Sequence, residues 1–522
     1  VHRNILTTKE CLTVVQFIDT RTGDVTGLAF SDVIIKGIAA SGGLYVLATL
    51  PTVSKQEIRE LIPMTYAQRA AFVYKKLELD IDDETIDAIA QASYGDQFDD
   101  KRIACVKNID KRTHVLELWH GPTSAFKDMA LQCMPRFFSA ALNKKRTAGE
   151  QSDDMLILVA TSGDTGKAAL QGFADRKGCR IAVLYPENGV SQIQRKQMVT
   201  QKGDNVAVYG VRGNFDDCQN TVKAVFNDKA FNERLHERKS LRLSSANSIN
   251  FGRLMPQIVY YFSAVADLLA SGELNEGEPL DICVPTGNFG NILGAFYAKR
   301  MGAPIGRLIC ASNENKILTD FISTGTYDIS HRSFIKTPSP SMDILISSNL
   351  ERLLFHLADG ERVARWMGEL DENKKFTVDK ETFAAIRTLL SADYVTNEES
   401  LEALSRIWKE HRYLCDPHTA VAWEVGERLR TPGAPLLIVS TAHWAKFATD
   451  VLRALSDIPA GQPLTGAYAT HTEFEQLDDI VALTRNVSPV PVGLANLSHA
   501  RERFSSSIDA GASSLENVLE AL

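Results

Sequence analysis

Three times along this chain a short apolar run ends in a loop of small residues and gives way to a helical pattern, and that repeated unit restricts the fold more than any other feature. In the first unit the run 156–160 leads into Thr161-Ser162-Gly163-Asp164-Thr165-Gly166, a helical pattern over 167–177 and a second apolar run at 180–185. The second unit has a run at 281–284, the loop Pro285-Thr286-Gly287-Asn288-Phe289-Gly290-Asn291, a helical pattern over 292–301 and a run at 307–311. In the third, 436–440 is followed by Thr441-Ala442-His443 and a helical pattern from about Ala445. Short runs without polar alternation suit strands buried on both faces. Strands alternating with helices through right-handed crossovers predict an α/β fold with a mostly parallel sheet. Ligands of such sheets bind beyond the carboxyl ends of the strands, where these three loops lie.

The 522 residues exceed what one small core needs and predict two to four domains. Residues 1–100 read as a separate unit, with strand-like pieces at 12–17 and 43–47 and helical patterns at 54–79 and 83–92; Ser54 and Glu57 have capping-box spacing. Residues 143–154 read as a polar linker, and 338–412 as a mostly helical region. The net charge of -8, with no long Lys/Arg block, argues against a nucleic-acid partner. Eight cysteines without a C-x-x-C pair fit a reducing compartment and argue against a metal site. No apolar run approaches the roughly 20 residues that span a bilayer, and the first 30 residues lack a secretory pattern. The expectation is a cytoplasmic protein with no membrane partner; the residues carry no reading of oligomeric state.

Lys127 stands between a Gly121-Pro122 turn and the apolar stretch Met129-Ala130-Leu131, with Phe126 before it. A lysine normally keeps its proton to about pH 10.4 and becomes a nucleophile only when desolvation or nearby positive charge frees the amine. This setting offers both conditions, so Lys127 is the candidate to condense with a carbonyl cofactor. The loop 287–291 presents glycines ahead of a helix N-terminus, an arrangement that suits a phosphate. The loop 161–167 fails as a nucleotide P-loop, because Thr161 occupies the first glycine position and Ala168 the place of the magnesium-binding hydroxyl. It better suits a small carboxylate. A third segment, Asn247 to Arg253, offers amides and a guanidinium capable of gripping phosphate.

Together the segments HGPTSAFKD (120–128), ATSGDTG (160–166), NSINFGR (247–253), PTGNFGN (285–291), SPSMDI (339–344) and STAH (440–443) resemble the threonine synthases, a family of fold type II pyridoxal-phosphate enzymes. FSDVIIKGIAASGGLYV, within 28–47, resembles that family's amino-terminal domain. The resemblance implies an α/β architecture of two domains with mostly parallel sheets plus an N-terminal domain. The division it suggests is 1–100 N-terminal, 101–145 and 261–522 large and cofactor-binding, and 146–260 small.

It further implies pyridoxal 5'-phosphate joined to Lys127, with its phosphate on Gly287, Asn288, Phe289, Gly290 and Asn291. Thr441 would meet the pyridine nitrogen and Asp164 the phenolic oxygen. Thr161, Ser162, Gly163 and Thr165 would take the substrate carboxylate, and Asn247 and Arg253 its phosphate. The implied reaction converts O-phospho-L-homoserine and water to L-threonine and phosphate. Three positions depart from the pattern: Asp164 where related enzymes often have Asn, Trp444 where Pro often follows STAH, and Asp19-Thr20-Arg21-Thr22-Gly23 where Ser-Thr-Arg-Gly is expected. His120, His418 and His443 are read as structural hydrogen-bonding residues. Two alternatives stand beside this reading: a phospho-lyase using the same cofactor to yield a keto acid, and a ligand-binding protein that has kept the fold.

Overall fold

The computed structural model describes residues 16–150 and 153–522. Two largely parallel sheets organise it. The larger has the strand order Leu390–Tyr394, Ile305–Ser312, Leu280–Pro285, Leu436–Ser440, Thr113–Glu117, Cys105–Asn108, parallel throughout except for the last, antiparallel edge strand. The smaller runs Ser507–Asp509, Val206–Arg212, Cys179–Pro186, Asp154–Ala160, Leu241–Ser245, all parallel. The apolar runs of the sequence are strands because both of their faces are covered. Along Asp154–Ala160, Met155, Ile157 and Val159 point into the central core, whereas Leu156, Leu158 and Ala160 join an outer cluster with Leu515 and Leu519 of the last helix.

Residues 16–100 carry the two-stranded pair Phe17–Asp19 and Tyr45–Leu47, and four helices. Of the piece expected at 12–17, residues 12–15 lie outside the described residues. The capping box forms, with Ser54 Oγ accepting from the Glu57 N–H at 3.2 Å and Glu57 Oε2 accepting from the Ser54 N–H at 2.8 Å. The helical stretch expected over 54–79 is two helices, Lys55–Glu60 and Tyr66–Lys76, because Pro63 disfavours helical backbone before it and Thr65 caps a fresh start.

Several expectations need correction. The linker placed at 143–154 begins inside the helix Met134–Thr147. The helical region 338–412 contains Leu390–Tyr394, the edge strand of the large sheet. The large-domain span ending at 522 fails at its end, since Ser507–Asp509 pairs with Val206–Arg212 in the small sheet. The boundary at 260/261 falls inside one continuous helix, Phe251–Ser271.

That 21-residue helix is also long and apolar enough to cross a bilayer, against the expectation that no stretch reaches that length. It is mostly buried inside the protein, packed on the helices Gly290–Met301, Tyr66–Lys76 and Lys127–Leu131, so its apolar surface belongs to a core.

Candidate active site

Four strands end at one place. Thr113–Glu117 leads to the Lys127 loop, Leu280–Pro285 to Gly287, Leu436–Ser440 to Thr441, and Asp154–Ala160 to Thr161. The first and third loops are laced together by their backbones: the Phe126 N–H donates to the Thr441 carbonyl at 2.7 Å, the His443 N–H to the Ser124 carbonyl at 3.1 Å, and Ala125 and Ala442 form an antiparallel bridge. Residues more than three hundred positions apart are thereby fixed side by side.

Lys127 opens the helix Lys127–Leu131 and is 8% exposed. Its Nζ lies 4.3 Å from the Phe126 ring centroid and 3.8 Å from Asp164 Oδ2. Burial is the main force lowering its pKa, to about 8; the pull of Asp164 opposes this, and the positive charges of Lys446 and Arg253 add to it. Asp164 would be destabilised as an anion by its burial. Lys446 at 2.6 Å, Lys127, and Gln194 Nε2 at 2.9 Å nevertheless hold it below the usual carboxylate range. Ser341 Oγ also reaches it, at 3.4 Å. Neighbouring Asp128 accepts from the Thr123 N–H and hydroxyl, both at 2.8 Å, while burial pushes its pKa up to about 6.

Thr161 is buried, and its hydroxyl oxygen accepts from the N–H groups of Gly163 and Gly166, each at 2.9 Å, so it shapes the loop from within. Gly163 has φ +133°, a backbone that favours glycine, and a Cβ there would sit 2.5 Å from Gln194 Cδ. Ser162 is half-buried on the same loop, and Thr165 is half-buried in the first turn of the helix Asp164–Phe173 that follows it.

In the loop 287–291, a Cβ on Gly287 would lie 2.6 Å from the Ser341 carbonyl oxygen. Phe289 takes a left-handed conformation, and Gly290 begins the helix Gly290–Met301. The Gly287 and Asn288 carbonyls are held by Ser347 Oγ and Asn349 Nδ2. Asn291 Oδ1 accepts from Tyr260 and Tyr261, each at 2.6 Å, while its Nδ2 is buried with no partner among the described residues.

Arg253 is 3% exposed; its Nη1 donates to the Ala246 carbonyl at 2.7 Å and its Nε has no partner among the described residues. Burial brings its pKa down to about 10. Asn247 Oδ1 is likewise buried and unpartnered. Asn250 is structural: its amide donates to the Ile34 and Ser245 carbonyls and its oxygen caps Gly252. The structure thus brings Lys127 within electrostatic reach of both Asp164 and Arg253.

The Asp19-Thr20-Arg21 segment is a clamp, with the Thr20 hydroxyl at 2.6 Å and the Arg21 guanidinium at 3.1 Å on Glu351. Trp444 is buried and donates from Nε1 to Ser488 Oγ at 3.0 Å. The histidines serve as hydrogen-bonding groups. His418 Nδ1 bonds Asp416 at 2.6 Å while its Nε2 accepts from the Ser341 N–H at 3.0 Å. His443 is held near pKa 3, by burial first, and its Nδ1 accepts from the Ala445 N–H.

His120 lies between Asp99 at 2.5 Å and Glu117 at 3.0 Å. Burial opposes its charging, but the carboxylates prevail and raise its pKa to about 11. Cys105, Glu117 and His120 place three potential metal-ligating atoms close together, with both His120 nitrogens already taken by carboxylates. Sequence reasoning missed Lys446 and Gln194; the one available signal was a lone cation inside the apolar run Trp444-Ala445-Lys446-Phe447-Ala448.

Comparison with known proteins agrees with this geometry. Three family models match in chain order: threonine synthase N terminus over 16–94, pyridoxal-phosphate dependent enzyme over 107–440, and threonine synthase, C-terminal, over 419–508. Threonine synthase-like 1 of Homo sapiens is 41% identical over 441 residues, covering 83% of this chain and 58% of that protein, so the chain spans under two thirds of the relative's length. Threonine synthase of Saccharomyces cerevisiae is 37% identical over 464 residues, covering 84% and 88%. Among solved structures, PLP-bound threonine synthase from Brucella melitensis superposes with a TM-score of 0.82 at 34% identity, over 97% of this chain and 99% of that one. With these matches running along the chain and the loops of its strands converging on Lys127, the protein belongs to the threonine synthase family of pyridoxal-phosphate dependent enzymes.

Proposed function

We propose that this chain is a threonine synthase, a carbon-oxygen lyase that converts O-phospho-L-homoserine and water to L-threonine and phosphate. The observation that carries the reading is a buried lysine with a pKa of about 8 in electrostatic reach of a buried arginine whose Nε has no partner among the described residues. The residues fit pyridoxal phosphate. The Gly287 cradle has no room for a Cβ, a helix N-terminus follows it, and Asn291 Nδ2 is a buried donor left over for an anion. Lys127 would carry the cofactor, Gly287 to Asn291 its phosphate, Thr441 the ring nitrogen and Asp164 the phenolic side. Bound there, the cofactor supplies an electron sink for the charge that develops as a proton leaves the substrate Cα.

The chain's own residues do the rest. With its pKa lowered to about 8, Lys127 is neutral near pH 7.5 far more often than an ordinary lysine, which is neutral to about one part in a thousand. As a free amine, Lys127 Nζ would take the proton from Cα, give it up, and take one from Cβ as phosphate leaves from Cγ; it would return one proton to Cγ and, once water has added at Cβ with its spare proton going to the phosphate, one to Cα. Arg253 and Asn247 hold that phosphate before and after departure, and it stays to assist water adding at Cβ. Ser162, Gly163 and Thr165 orient the substrate carboxylate, with Thr161 bracing their loop. The seven described cysteines, all buried and free, are in keeping with a cytoplasmic location.

The test is an absorbance spectrum of the protein with pyridoxal phosphate, then addition of O-phospho-L-homoserine with threonine, keto acid and phosphate all quantified. A visible band that Lys127→Ala abolishes, with threonine and phosphate formed one to one, supports the reading. Phosphate with keto acid in place of threonine would make the chain a phospho-lyase. The absence of any band would leave a binding protein.

A further inference from the structure

Lys446 is the more deeply buried of the two lysines at Asp164, with no exposed surface. Its Nζ lies 2.6 Å from Asp164 Oδ1 and donates to the Thr123 carbonyl at 3.0 Å. Lys127 approaches the other oxygen, Oδ2, and only to 3.8 Å. One carboxylate is shared between two lysines, and the tight contact belongs to the lysine that the reaction does not use. This division has a chemical consequence. With Lys127 as its sole cation, Asp164 would become an unpaired buried anion each time Lys127 lost its proton, and that penalty would keep Lys127 charged.

We propose that Lys446 is the standing counter-charge of this site, a positioning residue that keeps Asp164 ionised and fixed whatever the protonation state of Lys127, and so releases Lys127 to work as a neutral amine. The proposal rests on the role assigned to Lys127 and deepens it. The groups facing Lys127 are Asp164 and Asp416 on the negative side and Lys446 and Arg253 on the positive side. Without Lys446, the repulsion it exerts disappears and the pull of Asp164 falls on Lys127 alone. The Lys127 amine then holds its proton to higher pH.

The experiment reads Lys127 directly, without turnover. The full chain, freed of cofactor, is labelled competitively with acetic anhydride across the pH range, and the Lys127 peptide is quantified by mass spectrometry. The unaltered protein is expected to titrate near 8. Lys446→Met should raise that midpoint by at least about one pH unit, roughly a tenfold loss of neutral amine near pH 7, and Lys446→Arg should restore most of it. Asp164→Asn should lower the midpoint, and Asp164→Asn/Lys446→Met should raise it again.

A Lys446→Met midpoint equal to that of the unaltered protein would overturn the proposal. So would Asp164→Asn and the double variant sharing one midpoint, and that pair decides the matter if Lys446→Met alone does not fold. Threonine formation with an unmoved Lys446→Met midpoint defeats this proposal only. The expected midpoints without threonine formation defeat only the proposed reaction.

Discussion

Replacing Arg253 by Met separates a ligand-binding arginine from a structural one, because the two roles move stability in opposite directions. Among the described residues the guanidinium is buried, makes one hydrogen bond to the Ala246 carbonyl and leaves Nε unpaired, and burial brings its pKa down to about 10. Desolvating such a group is a cost to the unliganded protein. Methionine keeps the apolar stem and removes that cost, so the melting temperature without ligand should hold steady or rise. With substrate the balance reverses. A hydrogen bond to a charged group contributes about 1.5–3 kcal/mol, and loss of two to a phosphate comes to at least about 3 kcal/mol. At about 1.4 kcal/mol per tenfold, the dissociation constant should rise by roughly 100-fold or more.

The assay is titration of the cofactor's visible band with O-phospho-L-homoserine, beside a thermal melt of the ligand-free protein. The band itself should be intact, because the change lies in the segment 247–253 and spares the loop 287–291. Unchanged substrate affinity, or a melting temperature several degrees lower with affinity preserved, would refute the reasoning and make Arg253 a packing residue.

Three further outcomes follow from the same geometry. Gly287→Ala forces a Cβ to 2.6 Å from the Ser341 carbonyl oxygen, a backbone atom that cannot swing aside, so cofactor affinity in a spectral titration should fall by about tenfold or more, about 1.4 kcal/mol. His120→Gln removes a cation whose folded pKa is raised from 6.5 to about 11. Its stabilisation is therefore complete below about pH 6.5 and lost as pH rises toward 11. Chemical denaturation should show a deficit of about 3 kcal/mol at pH 6, since Glu117 is left buried with less to pair with, and a much smaller deficit at pH 10. Finally, burial holds Lys127 near pKa 8, with the repulsion of Lys446 and Arg253 adding to it, so an incoming phosphate should raise that value. Calorimetry of O-phospho-L-homoserine binding near pH 8 in buffers of different ionisation heat should register proton uptake; no uptake would place the anion elsewhere.

How much of this was legible in the sequence depended on whether the information was local. A buried parallel strand declares itself in a few residues, and the loop after it declares its glycines, so the sheet framework and the positions of Lys127, Gly287 and Thr441 at strand ends could be read directly. Leu390–Tyr394 could not, because Ser391, Asp393 and Tyr394 break the apolar run that an interior strand shows; at the sheet edge only one flank is paired, and half-buried polar residues are tolerated there. The return of 507–509 to the small sheet was equally hidden. A three-residue strand has no period to detect, and its partner lies about three hundred positions earlier in the chain. Lys446 shows the limit most clearly. Its Asp164 partner, which the motif marks only as a group for the cofactor, is distant along the chain, and Lys446 alone reads as an ordinary residue near a helix start. Only folding, which brings the small-sheet loop at 164 against the segment following Thr441, turns a lone lysine in an apolar run into the counter-charge of a carboxylate. Motifs record what each loop can offer a ligand. The electrostatic state in which they offer it is set between loops, by burial and by pairs that no spacing along the chain encodes.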